Sequence, residues 1–224
     1  MNNTLFFLLI FPVFIFSQSV SKDSLIKIHK TNNLNQEVLI KLGEEYAAEK
    51  DWEKAIYYYD KLVNIDPGNS DYLYRLGGTQ AAYSEVVNKF RVLSIINSAK
   101  KNLIKSASLD TNHIYSRWAL VQILTELPKF LGGNKTTALD YSKEIYDISK
   151  IHGLLAYYYI YNFQKNEGLI LDTEVKIFSE IQSNPILFEF NHFNFVVGKL
   201  LINTDTSQFN LALKYLNKYL LNYS

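Results

Sequence analysis

The feature that most constrains this fold is a pattern that recurs after 34 residues, the distance from Leu42 to Leu76. Leu42-Gly43 is followed by an apolar stripe that ends at Pro67-Gly68, and Leu76-Gly77 then begins the pattern again. A period of this length is typical of a helix-turn-helix repeat, in which one unit cannot bury its apolar faces without stacked neighbours. The sequence therefore predicts an all-α chain of repeated helix pairs.

The second helix of the first unit is predicted from five apolar positions at i, i+3, i+4, i+7 and i+8, which lie on one face of a helix. Asp51 is expected to be its N-cap, and Pro67 cannot continue it. The same spacings recur near the C-terminus, which indicates repetition rather than chance. The two stripes are Ala55, Tyr58, Tyr59, Leu62 and Val63, and Ala212, Tyr215, Leu216, Tyr219 and Leu220.

Continuing this pattern divides the chain into five predicted units. The second unit is about ten residues too long, and its extra residues near 83–95 contain neither Pro nor Gly. They are expected to lengthen its first helix, its second helix or both. Gly43 and Gly198 lie where a partner helix must approach closely. The polar residues 20–35 are interpreted as a lead-in, which is expected to cover the open end of the first unit. The predicted units are 36–69, 70–112, 113–150, 151–186 and 187–224.

These residues resemble the tetratricopeptide repeat (TPR) superfamily. The match is specific over 36–69, where the family positions are in register at Leu42-Gly43-Glu44-Glu45-Tyr46, Ala55, Tyr59 and Asp66-Pro67. Elsewhere the match is degenerate, and Val121 stands where the family often has Gly. Residues 127–134, followed by Ala138, are similar to a variant in some secreted bacterial repeat proteins, including the periplasmic TPR component of some solute transporters. The resemblance implies a right-handed α-solenoid of about five antiparallel helix pairs. It also implies a concave groove that is lined by the first helix of each pair and binds a protein or peptide.

Helix geometry projects a set of first-helix side chains into such a groove, because residues facing away from the buried stripe recur every three to four positions. Exposed aromatic and carboxylate groups would suit an extended peptide. Alternatively, Trp118 and Phe195 pack against the next repeat, and Glu44 and Glu126 belong to a solvated face. The predicted groove residues are Glu37, Ile40, Glu44, Tyr74, Tyr115, Trp118, Gln122, Glu126, Tyr159, Phe195 and Lys199.

Signals for catalysis are poor. The chain has no cysteine, and none of His29, His113, His152 and His192 lies four residues from another histidine. Surface or helix-end histidines are therefore a better interpretation than metal ligands. The run from Gly132 to Thr136 lacks the spacing of a phosphate-binding loop and is interpreted as a turn between helices. The sequence predicts a non-enzymatic protein without cofactor or metal.

The N-terminus resembles a secretory signal. The apolar run Leu5–Phe16 is too short for a helix that spans a bilayer, and polar residues follow it at once. Asn2-Asn3 replace the usual basic residues, and cleavage after Ser17 or Ser19 would use a small residue. The sequence predicts a cleaved signal peptide over 1–19 and a periplasmic or secreted protein. An uncleaved anchor and a buried first helix are the alternatives.

Two functions fit these features. The first is an exported scaffold that binds a protein or peptide partner in its groove. The second is an accessory solute-binding component of a transporter that encloses a small ligand. A net charge of +1 does not favour nucleic acid, and membrane contact is expected only through the N-terminal segment. Lys100, Lys101 and Lys105 are interpreted as the solvent side of a helix.

Overall fold

The computed structural model describes residues 21–204 and 208–221, and all regular secondary structure in those ranges is helical. This confirms the all-α prediction. The chain divides between Tyr141 and Ser142 into two compact units, called unit 1 and unit 2 below. The signal-peptide prediction for 1–19 lies outside the described residues.

Eleven α-helices and one 3₁₀ turn follow one another in the described residues. In each unit, helices that follow one another along the chain pack together, namely α2 with α3, α4 with α5, α8 with α9 and α10 with α11. The bounds are α1 Lys22–Thr31, α2 Gln36–Ala48, α3 Trp52–Ile65, α4 Ser70–Ser84, α5 Lys89–Leu109, α6 Ile114–Glu126, the 3₁₀ turn Lys129–Leu131, α7 Lys135–Ile148, α8 Lys150–Gln164, α9 Glu167–Ser183, α10 Asn191–Thr204 and α11 Phe209–Leu221.

The pair α2–α3 forms as the sequence predicts. The Asp51 carboxylate accepts a hydrogen bond from the Lys54 backbone N–H at 3.3 Å, so Asp51 is the N-cap of α3. Gly43 lies at the contact between the helices, where a Cβ atom would be 2.3 Å from the ring of Tyr59. Tyr59 is itself only 1% exposed and has no room to move away. The glycine is therefore required for the two helices to approach.

The lead-in before this pair is helix α1. The Ser21 hydroxyl caps it by accepting a hydrogen bond from the Ser24 backbone N–H at 3.4 Å. Leu25 is buried in the same apolar cluster as Leu39 and Leu62. Helix α1 therefore packs against the first pair.

Most of the extra residues of the second predicted unit lie in its second helix, since 89–95 belong to α5, whereas Tyr83 and Ser84 end α4. Helix α5 has 21 residues, whereas α4 has 15. Gly77 is the contact point, since a Cβ atom there would lie 2.9 Å from Leu103 and 3.0 Å from the carbonyl oxygen of Ala99. The long α5 therefore packs on α4 by the same kind of contact as α3 on α2.

A buried arginine from α6 closes the C-terminus of α5. The Arg117 guanidinium donates hydrogen bonds to the carbonyl oxygens of Ala107 at 3.0 Å, Asp110 at 3.2 Å and His113 at 3.1 Å. The last turn of a helix has carbonyls without intrahelical partners and favours a positive charge. Arg117 supplies both the donors and the charge, and so fixes α6 to the end of α5.

A short connection follows α6. The carbonyl oxygen of Leu127 would lie 1.7 Å from a Cβ atom at position 133, and Gly132 has a φ of 89°, so both positions need glycine. The Asn134 backbone N–H donates to the Leu124 carbonyl at 2.9 Å, and the Asn134 side chain accepts from the Thr137 N–H at 3.2 Å. These contacts are those of a turn between helices, as the sequence predicts.

Unit 2 contains the pairs α8–α9 and α10–α11. Helix α9 begins at Glu167, because the Asn166 side chain caps it by accepting a hydrogen bond from the Leu169 N–H at 3.2 Å. Gly198 again marks a close approach, where a Cβ atom would lie 2.7 Å from Leu216. The predicted stripe of α11 is buried only in part, since Tyr215 is buried and Leu220 is 59% exposed.

Candidate functional site

The candidate site in unit 1 lies on three first helices, α2, α4 and α6. Its members are Glu44, Asp71, Tyr74, Arg75, His113 and Tyr115, and they are called the α2/α4/α6 surface. Two groups of contacts build it, one ionic between α2 and α4 and one aromatic between α4 and the start of α6.

The ionic group is centred on Arg75. Its Nη1 atom lies 2.7 Å from Oε1 of Glu44, and its Nε atom lies 2.7 Å from Oδ2 of Asp71. Burial raises the pKa of the Glu44 carboxyl, and the Arg75 guanidinium opposes that shift. Charge-assisted hydrogen bonds of this kind are strong, and removing one partner would leave a charge unpaired in a poorly solvated place. The network therefore fixes α2 against α4.

The aromatic group brings together Tyr74, His113 and Tyr115. The ring centroids of Tyr74 and His113 are 5.1 Å apart, and those of Tyr74 and Tyr115 are 6.2 Å apart. The His113 Nδ1 atom accepts a hydrogen bond from the Ser116 N–H at 3.1 Å and so caps α6. Burial lowers the pKa of His113, so a neutral imidazole with its proton on Nε2 is the form that fits this cap.

The structure brings only part of the predicted groove to the surface. In unit 1, Glu37 is exposed and hydrogen-bonded to Lys41, while Ile40, Glu44 and Tyr115 are partly exposed. In unit 2, Tyr159 is partly exposed, and Phe195 and Lys199 are exposed.

Four predicted groove residues are not available to a partner, because they are buried: Tyr74, Trp118, Gln122 and Glu126. Tyr74 is buried against its aromatic neighbours, and so supports the surface without lining it. The other three belong to α6, in which every residue from Ser116 to Glu126 is buried. The projection assumed a helix with one solvent-facing side, and α6 has none between Ser116 and Glu126. The proposed solvated face for Glu126 is therefore wrong.

Sequence reasoning missed Asp71, Arg75 and His113 as members of the surface. The Asp71–Arg75 spacing of i, i+4 is typical of an ion pair on a helix and could have been noticed. The contact with Glu44 comes from another helix, and no sequence signal marks it. His113 was interpreted as a helix-end histidine, which is confirmed, but its contact with two tyrosine rings depends on packing.

Glu126 is a buried carboxyl at the end of α6, and it interacts with the negative charge of Glu85, the residue that caps the C-terminus of α4. Burial, and to a lesser degree Glu85, raise its pKa to about 8. With this pKa the carboxyl is protonated over part of the physiological pH range. Because the residue is only 7% exposed, it affects stability rather than contact with a partner.

No group of three or more histidines, aspartates or glutamates that could hold a metal ion occurs in residues 21–204 and 208–221. Among those same residues, no helix is long and apolar enough to cross a membrane. In unit 2, a cavity between α9 and α10 has a volume of about 10 Å³. That is room for about one water molecule, so this cavity cannot enclose a solute.

The packed helix pairs, with glycines at their closest approach, have a TPR-like helical-repeat fold. No protein-family model matches the chain. A solved structure titled "Crystal structure of MamA" is similar, with a TM-score of 0.45 and 22% sequence identity, over 80% of this chain and 92% of that chain. A likeness at that level assigns no function, and the description of the fold rests on the helix contacts within each unit.

Proposed function

We propose that this chain is a non-enzymatic scaffold that binds an extended segment of a protein partner on the α2/α4/α6 surface. The observation that carries the proposal is the partly exposed Tyr115, which buried Tyr74 and the helix cap His113 hold in place through ring contacts. Aromatic side chains anchor most of the energy of protein interfaces, and carboxylates accept hydrogen bonds from a peptide backbone or a basic side chain.

The surface is rigid before binding. Arg75 holds Glu44 of α2 and Asp71 of α4 at 2.7 Å each, and His113 fixes the first turn of α6. The Asp71 side chain is still 48% exposed. A site that needs no rearrangement loses less entropy on binding. An extended segment could therefore lie across α4 and α6 without moving either helix.

The test begins with crosslinking in the native cell and identification of the crosslinked protein. The affinity of that protein is then measured for the wild type, for Tyr115→Ala and for Tyr57→Ala. Tyr57 is an exposed tyrosine on α3, away from the first helices, and is the matched control. We expect Tyr115→Ala to weaken binding about tenfold or more, as for an interface anchor, and Tyr57→Ala to leave it unchanged. Equal affinities of the two variants would refute the proposal.

We further propose that the protein is exported. The apolar run Leu5–Phe16, followed by Ser17 and Ser19, supports a cleaved signal peptide. N-terminal sequencing of the protein from its own host should find a first residue at position 18 or 20. Retention of Met1 in protein from the soluble cell contents would contradict export.

A further inference from the structure

Positive charge is concentrated on helix α5. Its 21 residues include five lysines or arginines and no aspartate or glutamate. Subtracting these five charges from the net +1 of the chain leaves −4 for the remaining residues. The basic residues are Lys89, Arg91, Lys100, Lys101 and Lys105.

The same helix exposes large apolar side chains. Phe90 is 95% exposed, and Leu93 and Ile104 are each nearly half exposed. Residues 90, 93, 97, 101, 104 and 108 follow a helical period and lie on one side of α5. At a rise of 1.5 Å per residue, Phe90 and Ile104 are about 21 Å apart along the helix. The exposed side is therefore a long strip that carries the apolar side chains of Phe90, Leu93 and Ile104 together with Lys101.

The turn after α6 lies beside this strip. Lys100 of α5 donates a hydrogen bond from Nζ to the carbonyl oxygen of Gly132 at 3.0 Å. Ile104 is only about 40° from Lys100 around the helix axis, so the turn flanks the side of α5 that bears Ile104. The turn presents exposed Lys129 and Phe130, and the Phe130 ring is 82% exposed. The turn thus carries a second lysine–phenylalanine pair, in addition to Lys89-Phe90 at the start of α5.

Two of the five basic side chains already have polar partners within unit 1. Arg91 lies 3.3 Å from the Glu53 carboxylate and 3.2 Å from the Tyr83 hydroxyl, and Lys100 is held by Gly132. Lys89, Lys101 and Lys105 have no ion-pair partner in the part of the chain that the structure describes. Their charges are available to an anionic surface.

We propose that α5 and the 129–132 turn dock on the surface of an anionic phospholipid bilayer. Lysines near such a surface are attracted by its negative potential, and aromatic side chains beside them insert at the level of the headgroups. The exposure of the phenylalanine rings favours a bilayer over an acidic protein as the partner. A protein partner would need a matching pocket for each aromatic anchor. Phe90 and Phe130 protrude separately, and a bilayer accepts them without a matching pocket. This surface is separate from the α2/α4/α6 surface, and it adds a membrane contact that the sequence did not predict.

The test measures vesicle binding of the full chain by co-sedimentation. One set of vesicles is phosphatidylcholine alone, and the other contains about one-third phosphatidylglycerol. The readout is the partition coefficient for the anionic vesicles divided by that for the neutral vesicles. An apolar contribution from the N-terminal segment is the same for both kinds of vesicle and cancels in this ratio. The variants are Lys101→Gln/Lys105→Gln on α5, and the matched control Lys27→Gln/Lys30→Gln on the exposed side of α1.

We expect the α5 lysine variant to lower the ratio about 30-fold, because each lysine near an anionic surface contributes about a factor of five. The α1 control should leave the ratio unchanged. Phe90→Ser/Phe130→Ser should weaken binding to the anionic vesicles about tenfold or more, through loss of buried apolar area. These variants change exposed side chains, so their melting temperatures should equal that of the wild type.

Two results would overturn the proposal. In the first, the α5 and α1 lysine variants have the same ratio of partition coefficients, which would mean that α5 has no special part in the attraction to anionic vesicles. In the second, poly-glutamate or single-stranded DNA displaces the protein from anionic vesicles and binds the Phe90→Ser/Phe130→Ser variant as well as the wild type. Binding would then be to an acidic polymer in general, without insertion of the aromatic rings.

Discussion

The carboxyl of Glu126 should make the stability of this protein fall as pH rises. Burial, assisted by the negative charge of Glu85, raises its pKa from an ordinary value of 4.5 to about 8. Between these two values, the folded state holds a proton that the unfolded chain releases. The free energy of unfolding therefore decreases from about pH 4.5 to pH 8, and this loss is complete above the folded-state pKa.

The size of the effect follows from the two pKa values. Each pKa unit corresponds to about 1.4 kcal/mol, so a rise from 4.5 to about 8 sets a ceiling of about 5 kcal/mol. Local relaxation and water reduce the penalty of a buried charge, as the effective dielectric constant of about 20 for buried sites shows. We therefore expect Glu126→Gln, which keeps the shape without the charge, to stabilise the protein by about 2 kcal/mol at pH 9.

The assay is urea unfolding followed by circular dichroism, at several pH values from about 5 to 9. The difference between Glu126→Gln and wild type should be close to zero at the acidic end and should grow steadily with pH. Glu37→Gln is the control, because the hydrogen bond from Lys41 lowers the pKa of Glu37, which stays ionised throughout this range. Its difference curve should be flat. Parallel curves for Glu126→Gln and wild type would refute the reasoning.

Two further predictions concern packing and acid stability. Gly43→Ala should destabilise the protein by about 1–3 kcal/mol in urea unfolding, because its Cβ would lie 2.3 Å from the buried Tyr59 ring. Gly168→Ala on α9 is the control, because a Cβ atom there would have its nearest neighbour 3.8 Å away, and this change should leave stability unchanged or raise it. An equal loss of stability in the two alanine variants would contradict the prediction. Burial lowers the pKa of His152 from 6.5 to about 4, so the unfolded state binds the extra proton and stability falls as pH drops through that range. Between about pH 7 and pH 5, the free energy of unfolding should fall by about 1–2 kcal/mol less for His152→Gln than for wild type, as followed by melting temperatures at the two pH values. An equal loss of stability in both proteins would show that His152 is not its cause.

The helix pairs could be predicted because their signals are local. The cap at Asp51 and the contact glycines Gly43 and Gly198 can each be recognised within a few residues of sequence, and the structure confirms them. The long α5 was less certain, because no Pro or Gly near 83–95 marks where one helix ends. Sequence left three alternatives there, and in the structure most of the added length lies in α5.

The candidate site was harder to predict, because exposure depends on how many neighbours a helix has. A helix with one solvent-facing side has an apolar stripe that indicates which residues are free. Helix α6 is buried around its whole circumference from Ser116 to Glu126, so Trp118 and Gln122 do not face solvent. The ion pair between Glu44 and Arg75 joins different helices, and pairs of that kind leave no periodic signal in the sequence.

The seal that Arg117 forms at the end of α5 has a consequence for how unit 1 opens. If the last turn of α5 frays, the guanidinium loses its carbonyl acceptors while it is still enclosed, which is costly for a charged group. Release of one helix therefore requires release of the other. Amide hydrogens of this turn and of the start of α6 should exchange with solvent in a single cooperative event, rather than by gradual fraying from the helix end.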